Sequence, residues 1–186
     1  MSNNADRFFV LTGGPGSGKS TVIGALRRSG YAGCPEAGRA VIQEQMAAGG
    51  RALPWDDRLL FAEMMLRRDE ESYRAAEKLV GRVYFDRGVV DVVGYLRLVG
   101  LPVPKHMEQS VESYRYNRMV FVAPPWPEIY GRDNERKQDF AEAVRTYETM
   151  VTTYADYGYQ VVEIPRDSIE SRMRFVLDES ASRTGV

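Results

Sequence analysis

The sequence predicts a three-layer α/β/α domain built on a mainly parallel sheet of five strands. Three observations support this fold class. Five short apolar runs alternate with helical runs, and strands that are separated by helices form parallel sheets covered on both faces. Turn signals such as Gly49-Gly50 and Pro124-Pro125 fall between the runs. The length of 186 residues suits one domain with a full core.

The elements follow in a regular order. Strands are predicted at residues 8–11, 31–34, 83–85, 119–123 and 160–164, the second of them weak. Helices are predicted at residues 19–29, 39–48, 55–79, 89–99, 106–114, 140–157 and 168–182. We see no internal repeat, low-complexity tract or linker, and therefore expect a single domain over residues 1–186.

Composition excludes several classes of protein. The formal net charge is −1, which indicates no basic surface and argues against nucleic acid as the main partner. Cys34 is the only cysteine, so an intramolecular disulfide and a cysteine-cluster metal site are excluded. The N-terminus, residues 1–7, is polar and lacks a signal peptide's apolar stretch, and no run approaches the length of a membrane span. We expect a soluble, cytoplasmic monomer or homodimer without a membrane partner.

A glycine-rich segment follows the first strand and precedes the first long helix. It matches the phosphate-binding pattern G-x-x-x-x-G-K-[ST], and its residues are Gly13, Gly14, Pro15, Gly16, Ser17, Gly18, Lys19 and Ser20. In such a P-loop, backbone N–H groups point inward around phosphate oxygens, and the next helix presents its positive end. Lys19 is predicted to reach the β- and γ-phosphates, Ser20 to hold Mg²⁺, and Thr21 to complete the nucleotide site. The sequence therefore predicts a protein that binds ATP and Mg²⁺.

Charged residues follow the third strand, where ligands bind in open α/β sheets. Asp86 ends the apolar run 83–85 and takes the Walker-B position, from which a carboxylate would orient Mg²⁺. It could instead cap the next helix. Arg87 would face the acceptor or the transferring group, or else form a salt bridge with a neighbouring acid.

Glu36 and Arg39 follow the second strand, three residues apart. If a helix begins near Ala37, both lie in or beside its first turn. Glu36 is a candidate base for an attacking hydroxyl or an anchor for a ribose, and Arg39 a clamp for an anionic part of the acceptor. The structural alternative for Glu36 is a favourable interaction with the helix dipole.

A basic cluster lies between the fourth strand and a long helix, within a lid-like segment at about residues 126–139. Arg132 and Arg136 are candidates for closing over the transferring phosphoryl group. A solvated charged loop is the alternative, since Asp133 and Glu135 are interleaved with the arginines.

Together these residues resemble a known group. The chain is similar to the P-loop nucleoside and nucleotide kinases. More closely, it resembles the AAA-type ATPase domain family that includes the nicotinamide riboside kinase domain of the bifunctional NAD-biosynthesis regulator. The resemblance rests on residues 13–20, 35–39 and 86–88, and on Gln45, Tyr95, Arg132 and Arg136.

The resemblance implies a nucleotide-kinase-like P-loop NTPase fold. The pair Asp86-Arg87 is similar to the Asp-Arg pair of thymidylate kinases, in which the arginine contacts the acceptor monophosphate. The loop at residues 165–167, with Arg166, would lie under the adenine. No adenylyltransferase half accompanies the domain, so we expect a protein other than the bifunctional regulator.

We therefore predict a Mg²⁺-dependent phosphotransferase that uses ATP and acts on a small molecule, with a nucleoside or nucleotide as the first acceptor to test. The alternative is a regulatory nucleotide-binding module that hydrolyses ATP slowly and acts through a protein partner. Dependence of ATP consumption on an acceptor would separate the two.

Overall fold

The computed structural model describes residues 4–130 and 139–182. Its strands are β1 Phe8–Gly13, β2 Ala32–Cys34, β3 Val83–Asp86, β4 Met119–Ala123 and β5 Gln160–Glu163. Its helices are α1 Asn4–Arg7, α2 Lys19–Arg28, α3 Ala37–Ala48, α4 Arg58–Ala76, α5 Val89–Leu98, α6 Lys105–Ser113, α7 Pro127–Tyr130, α8 Phe140–Asp156 and α9 Ile169–Ala181. The strands form one sheet in the order β2-β3-β1-β4-β5, and every neighbouring pair is parallel.

The central strand β1 shows why the sheet has three layers. All six of its residues are buried, and successive side chains of a strand point to opposite faces. Phe8 and Val10 pack with residues of α4, α5 and α8, whereas Phe9 and Leu11 pack with residues of α2 and α9. Both faces of the sheet are therefore covered, which confirms the predicted three-layer α/β/α fold.

Every predicted strand and helix is present, and the differences are at their ends. The helix predicted at 55–79 begins only at Arg58, because the Asp57 side chain accepts a hydrogen bond from the Leu60 N–H and caps it. The short helices α1 and α7 were not predicted, since four residues carry too little periodicity. Within the described ranges, no helix combines the length and the apolar character needed to cross a bilayer.

The strand order determines which loops meet. Because β1 lies between β3 and β4, the loop after β1 is flanked by the ends of both neighbours. In the register, Leu11 is opposite Asp86 and Gly13 is opposite Ala123. The carboxyl edge of the sheet therefore places the glycine-rich loop beside Asp86.

Candidate active site

The loop of residues 13–20 connects β1 to α2 in a tight path against α8. A β-carbon at Gly14 would lie 2.3 Å from the Ala143 carbonyl oxygen, so only glycine fits there. Gly18 precedes α2 with φ of 77°, a left-handed conformation that favours glycine. Lys19 is buried, and its Nζ donates to the Gly14 carbonyl over 3.0 Å. The loop thus has the strand, turn and helix order that a phosphate cradle requires.

Ser20 and Asp86 form a close pair beside this loop. The Ser20 hydroxyl donates to Asp86 Oδ2 over 2.7 Å. Asp86 is buried, and among the described residues its Oδ1 has no hydrogen-bond partner. Burial raises the pKa of Asp86, while the Lys19 charge opposes the shift.

The pair fits a magnesium ion. A buried carboxylate oxygen without a partner and a neighbouring hydroxyl are hard oxygen ligands of the kind Mg²⁺ prefers. Residues 4–130 and 139–182 hold no group of three histidine, cysteine or acidic side chains that could bind a metal. An ion here would take its other ligands from phosphates and water, as is usual for Mg²⁺ in phosphoryl-transfer sites.

Arg87 lies between two carboxylates. Its Nε donates to Glu36 Oε1 over 3.3 Å, and its Nη1 donates to Asp91 Oδ1 over 3.1 Å. Burial alone would lower the pKa of Arg87, but the charges of Glu36 and Asp91 raise it. The alternative of a salt bridge to a neighbouring acid is therefore realised, and it involves the candidate base Glu36.

The backbone at Arg87 is also unusual. Among the described residues it is the only one other than glycine with positive φ, at 72°. A left-handed conformation costs a residue with a β-carbon about 1 to 2 kcal/mol. The Arg87 N–H donates to the Leu11 carbonyl, so the sheet edge helps to hold this conformation.

Asp91 fixes the other side of Arg87. It is 5% exposed and accepts hydrogen bonds from the Thr12 hydroxyl, the Gly88 N–H and the Tyr154 hydroxyl. Together with the bond from Arg87, the two Asp91 carboxylate oxygens accept hydrogen bonds from four donors. A carboxylate held this firmly makes the position of the guanidinium, and through it of Glu36, well defined.

A cavity of about 260 Å³ lies beside the Ser20–Asp86 pair and Glu36. Ser20, Asp86, Glu36 and Arg39 all line it, so the predicted metal pair and the predicted acceptor residues share one space. This volume lies just below the range of roughly 300 to 1,000 Å³ that is usual for small-molecule sites. Helix α3 begins at Ala37, two residues before the predicted start at residue 39, and Glu36 occupies the capping position before it. Arg39 is exposed and forms no ion pair with a described residue.

Other predicted residues lie further out. Arg166 is exposed, and its Nε donates to the Pro125 carbonyl over 3.0 Å, which ties the loop after β5 to the segment after β4. Thr21 is exposed in the first turn of α2. Arg132 and Arg136 lie outside the described residues, together with most of the predicted lid at 126–139.

Three buried charged residues were missed from the sequence. Asp91 lies four residues after Arg87, a spacing at which side chains meet on a helix, so that signal was present. Asp69 interrupts the buried face of α4, which could also have been noticed. Its pKa is raised well above the ordinary value by burial first and by Asp91 next. Arg172 of α9 carried no such signal, because charged residues surround it in the sequence.

Comparison with known proteins identifies the family. A family profile described as an AAA domain matches residues 8–172. No curated protein matches the chain. Among solved structures, the NadR protein in complex with NR has a TM-score of 0.69 and 19% sequence identity. That similarity covers 97% of this chain and 51% of the NadR chain, so this chain spans about half of its length.

Two kinases share the fold along nearly their whole length. Thymidylate kinase from Ehrlichia chaffeensis has a TM-score of 0.60 and 16% identity, over 94% of this chain and 98% of its own. Deoxyadenosine kinase from M. mycoides, with bound dATP, has a TM-score of 0.54 and 12% identity, over 93% and 98%. At such identities the likeness concerns the fold, while the profile match concerns the sequence. The chain therefore belongs to the AAA domain family and has the P-loop fold of nucleotide kinases.

Proposed function

We propose that this protein is an ATP- and Mg²⁺-dependent kinase that phosphorylates a hydroxyl group of a small molecule. A nucleoside is therefore the first candidate acceptor; a nucleoside monophosphate, which would take the phosphoryl group on a phosphate oxygen instead of a hydroxyl, is the second acceptor to test. The observation that carries the proposal is the position of Glu36. Arg87 pairs with its carboxylate at the edge of the cavity that Ser20 and Asp86 also line.

The donor side supports ATP as the phosphoryl source. Backbone N–H groups of residues 13–20 would bind the phosphates, and Lys19 would neutralise charge as the γ-phosphoryl group transfers. When bound, Mg²⁺ would lower the charge repulsion among the phosphate groups. Ser20 and Asp86 are the residues that would hold it.

The acceptor side supports a hydroxyl group. The acceptor hydroxyl would pass its proton to Glu36 while its oxygen forms a bond to the γ-phosphorus. The bond from that phosphorus to the bridging oxygen breaks, and ADP leaves with the bonding electrons. Arg87 would keep Glu36 in place for this step, and Arg39 is free to contact the acceptor.

The choice of acceptor class rests on the structural neighbours. Two of them are a thymidylate kinase and a deoxyadenosine kinase, which act on a nucleotide and a nucleoside. Arg87 already serves two carboxylates, so a phosphate on the acceptor would have to compete for it. A neutral nucleoside needs no such exchange and is therefore placed first.

The test is ADP release from Mg-ATP across a panel of nucleosides, nucleoside monophosphates and nicotinamide riboside. A kinase releases ADP faster with one class of acceptor. Lys19→Ala should abolish this release, whereas Lys78→Ala, at an exposed lysine on the surface, should not change it.

The opposite result would be equally informative. Slow ATP hydrolysis that no acceptor accelerates would contradict the kinase proposal. It would favour a regulatory nucleotide-binding module, whose hydrolysis rate should then respond to a protein partner.

A further inference from the structure

Arg172 of α9 lies against the phosphate loop. It is 3% exposed, and its Nη2 donates to the Ser17 carbonyl over 2.8 Å. A β-carbon at Gly18 would lie 2.5 Å from its Nη1, so the guanidinium packs directly on the glycine. On its other side, the guanidinium carbon is 5.6 Å from the centre of the Trp126 ring. Arg172 thus contacts the loop at the residues that immediately precede Lys19.

Among the described residues, no carboxylate balances the charge of Arg172. Within residues 4–130 and 139–182, no acidic side chain forms an ion pair with it, and its buried Nε has no hydrogen-bond partner. Burial lowers the pKa of Arg172, and no neighbouring charge offsets the effect. Buried charges in proteins are normally paired, which distinguishes this arginine from Arg87 with its two carboxylates.

The bond to Ser17 has a geometric consequence for the loop. A trans peptide is planar, so the Ser17 C=O and the Gly18 N–H point in opposite directions. Because the Ser17 carbonyl is turned toward Arg172, the Gly18 N–H points away from the Arg172 guanidinium. Inward N–H groups are what bind phosphate oxygens in such a loop.

From these contacts we infer that Arg172 is a positioning residue for the phosphate loop. It orients the Gly18 N–H for the polyphosphate, and the polyphosphate supplies negative charge to a buried cation that has no carboxylate partner among the described residues. The inference rests on the proposed function only through nucleotide binding at the same loop; it requires neither phosphoryl transfer nor a known acceptor.

Equilibrium binding of Mg-ADP and of inorganic pyrophosphate tests the inference. Arg172→Lys keeps a charge but loses the planar donor, and Arg172→Met removes both. We expect the Kd for each ligand to rise roughly tenfold or more, as the loss of a charged hydrogen bond predicts. Arg174→Met is the matched control, since Arg174 is exposed two residues along the same helix, and its Kd should stay within about twofold of wild type.

Three further readouts separate positioning from simple packing. The melting temperature of unliganded Arg172→Met should stay close to that of wild type, because removing a desolvated charge offsets the lost hydrogen bond. The rise in melting temperature that Mg-ADP produces should shrink in both variants. If turnover is measured, the KM for ATP should rise more than kcat falls. Should Arg172→Met fail to fold, Arg172→Lys carries the same test.

Two results would overturn the inference. One is an unchanged Kd in both variants, while Lys19→Ala loses binding. The loop would then still be the phosphate site, and Arg172 would only anchor α9. The other is weaker binding of ADP with unchanged binding of pyrophosphate, which would place Arg172 at the nucleobase. The kinase proposal survives both results, since it depends on acceptor-stimulated release of ADP and not on Arg172.

Discussion

The donor and acceptor sides of the proposed kinase site are built in different ways. The donor side is made mainly from one continuous segment, residues 13–20, whose backbone and Lys19 provide positive potential. The acceptor side is assembled from side chains that lie far apart in the sequence, with Glu36 before α3, Arg87 after β3 and Asp91 in α5. One side is a local motif and the other is a product of the fold.

The two sides also differ in how their charged groups are paired. On the donor side, Arg172 has no carboxylate partner among the described residues. Asp86 Oδ1 has no hydrogen-bond partner among them either. On the acceptor side, Arg87 is shared between Glu36 and Asp91. The donor side is therefore arranged to receive charged ligands, whereas the acceptor side holds a carboxylate in a defined position.

The largest expected effect is on the donor side. Lys19→Ala removes the buried ammonium group of the loop, so kcat should fall on the order of 10³-fold or more. The fold should remain, which circular dichroism would check. Turnover close to that of wild type would show that the P-loop is not the centre of the reaction.

The next effect tests the acceptor side. Glu36→Gln keeps the shape but cannot take a proton, so kcat should fall about 10²-fold while the Kd for Mg-ADP hardly changes. Glu44→Gln, at an exposed glutamate of the same helix, is the control. A loss of ADP affinity as large as the loss of kcat would remove the distinction between the two sides.

Asp91→Asn sharpens the comparison, since it changes the acceptor side without touching the cavity. The variant leaves Arg87 buried with one carboxylate fewer, which should lower the free energy of unfolding by about 3 kcal/mol. Urea unfolding would measure this, and kcat should fall more than ADP affinity because Glu36 loses its support. Wild-type kcat in a folded variant would mean that Arg87 needs no second carboxylate.

The smallest effect concerns Asp69, whose pKa is raised by burial. Because the folded protein binds this proton more tightly, the contribution to stability is full below the ordinary pKa of about 4. It is lost as pH rises through the higher, folded-state pKa. Asp69→Asn should therefore raise the free energy of unfolding at pH 7 above that of wild type. This gain should shrink as the pH falls toward 4, and a gain that does not vary with pH would contradict the account.

The same comparison explains what could be predicted from the sequence. The loop at 13–20 and Asp86 were predictable because a contiguous motif and a strand end carry the signal. The run of apolar residues in β1, which are buried on both faces of the sheet, made a covered parallel sheet predictable as well.

The remaining features depend on distances between elements. The local sequence gives no sign that Arg172 of α9 reaches the Ser17 carbonyl, since 155 positions separate the two residues. The pairing of Glu36 with Arg87 spans 51 positions and depends on β2 lying beside β3. The start of α4 was missed because the Asp57 side chain caps a helix that begins three residues after its predicted start at Trp55.

The most direct test of the account is the fate of the γ-phosphoryl group. ATP labelled at the γ-phosphate would be incubated with the protein, Mg²⁺ and each acceptor, and the labelled products would be separated. The account predicts label in a phosphate monoester of one acceptor class, formed by wild type and lost in Glu36→Gln. Label found only in inorganic phosphate, whatever the acceptor, would contradict it.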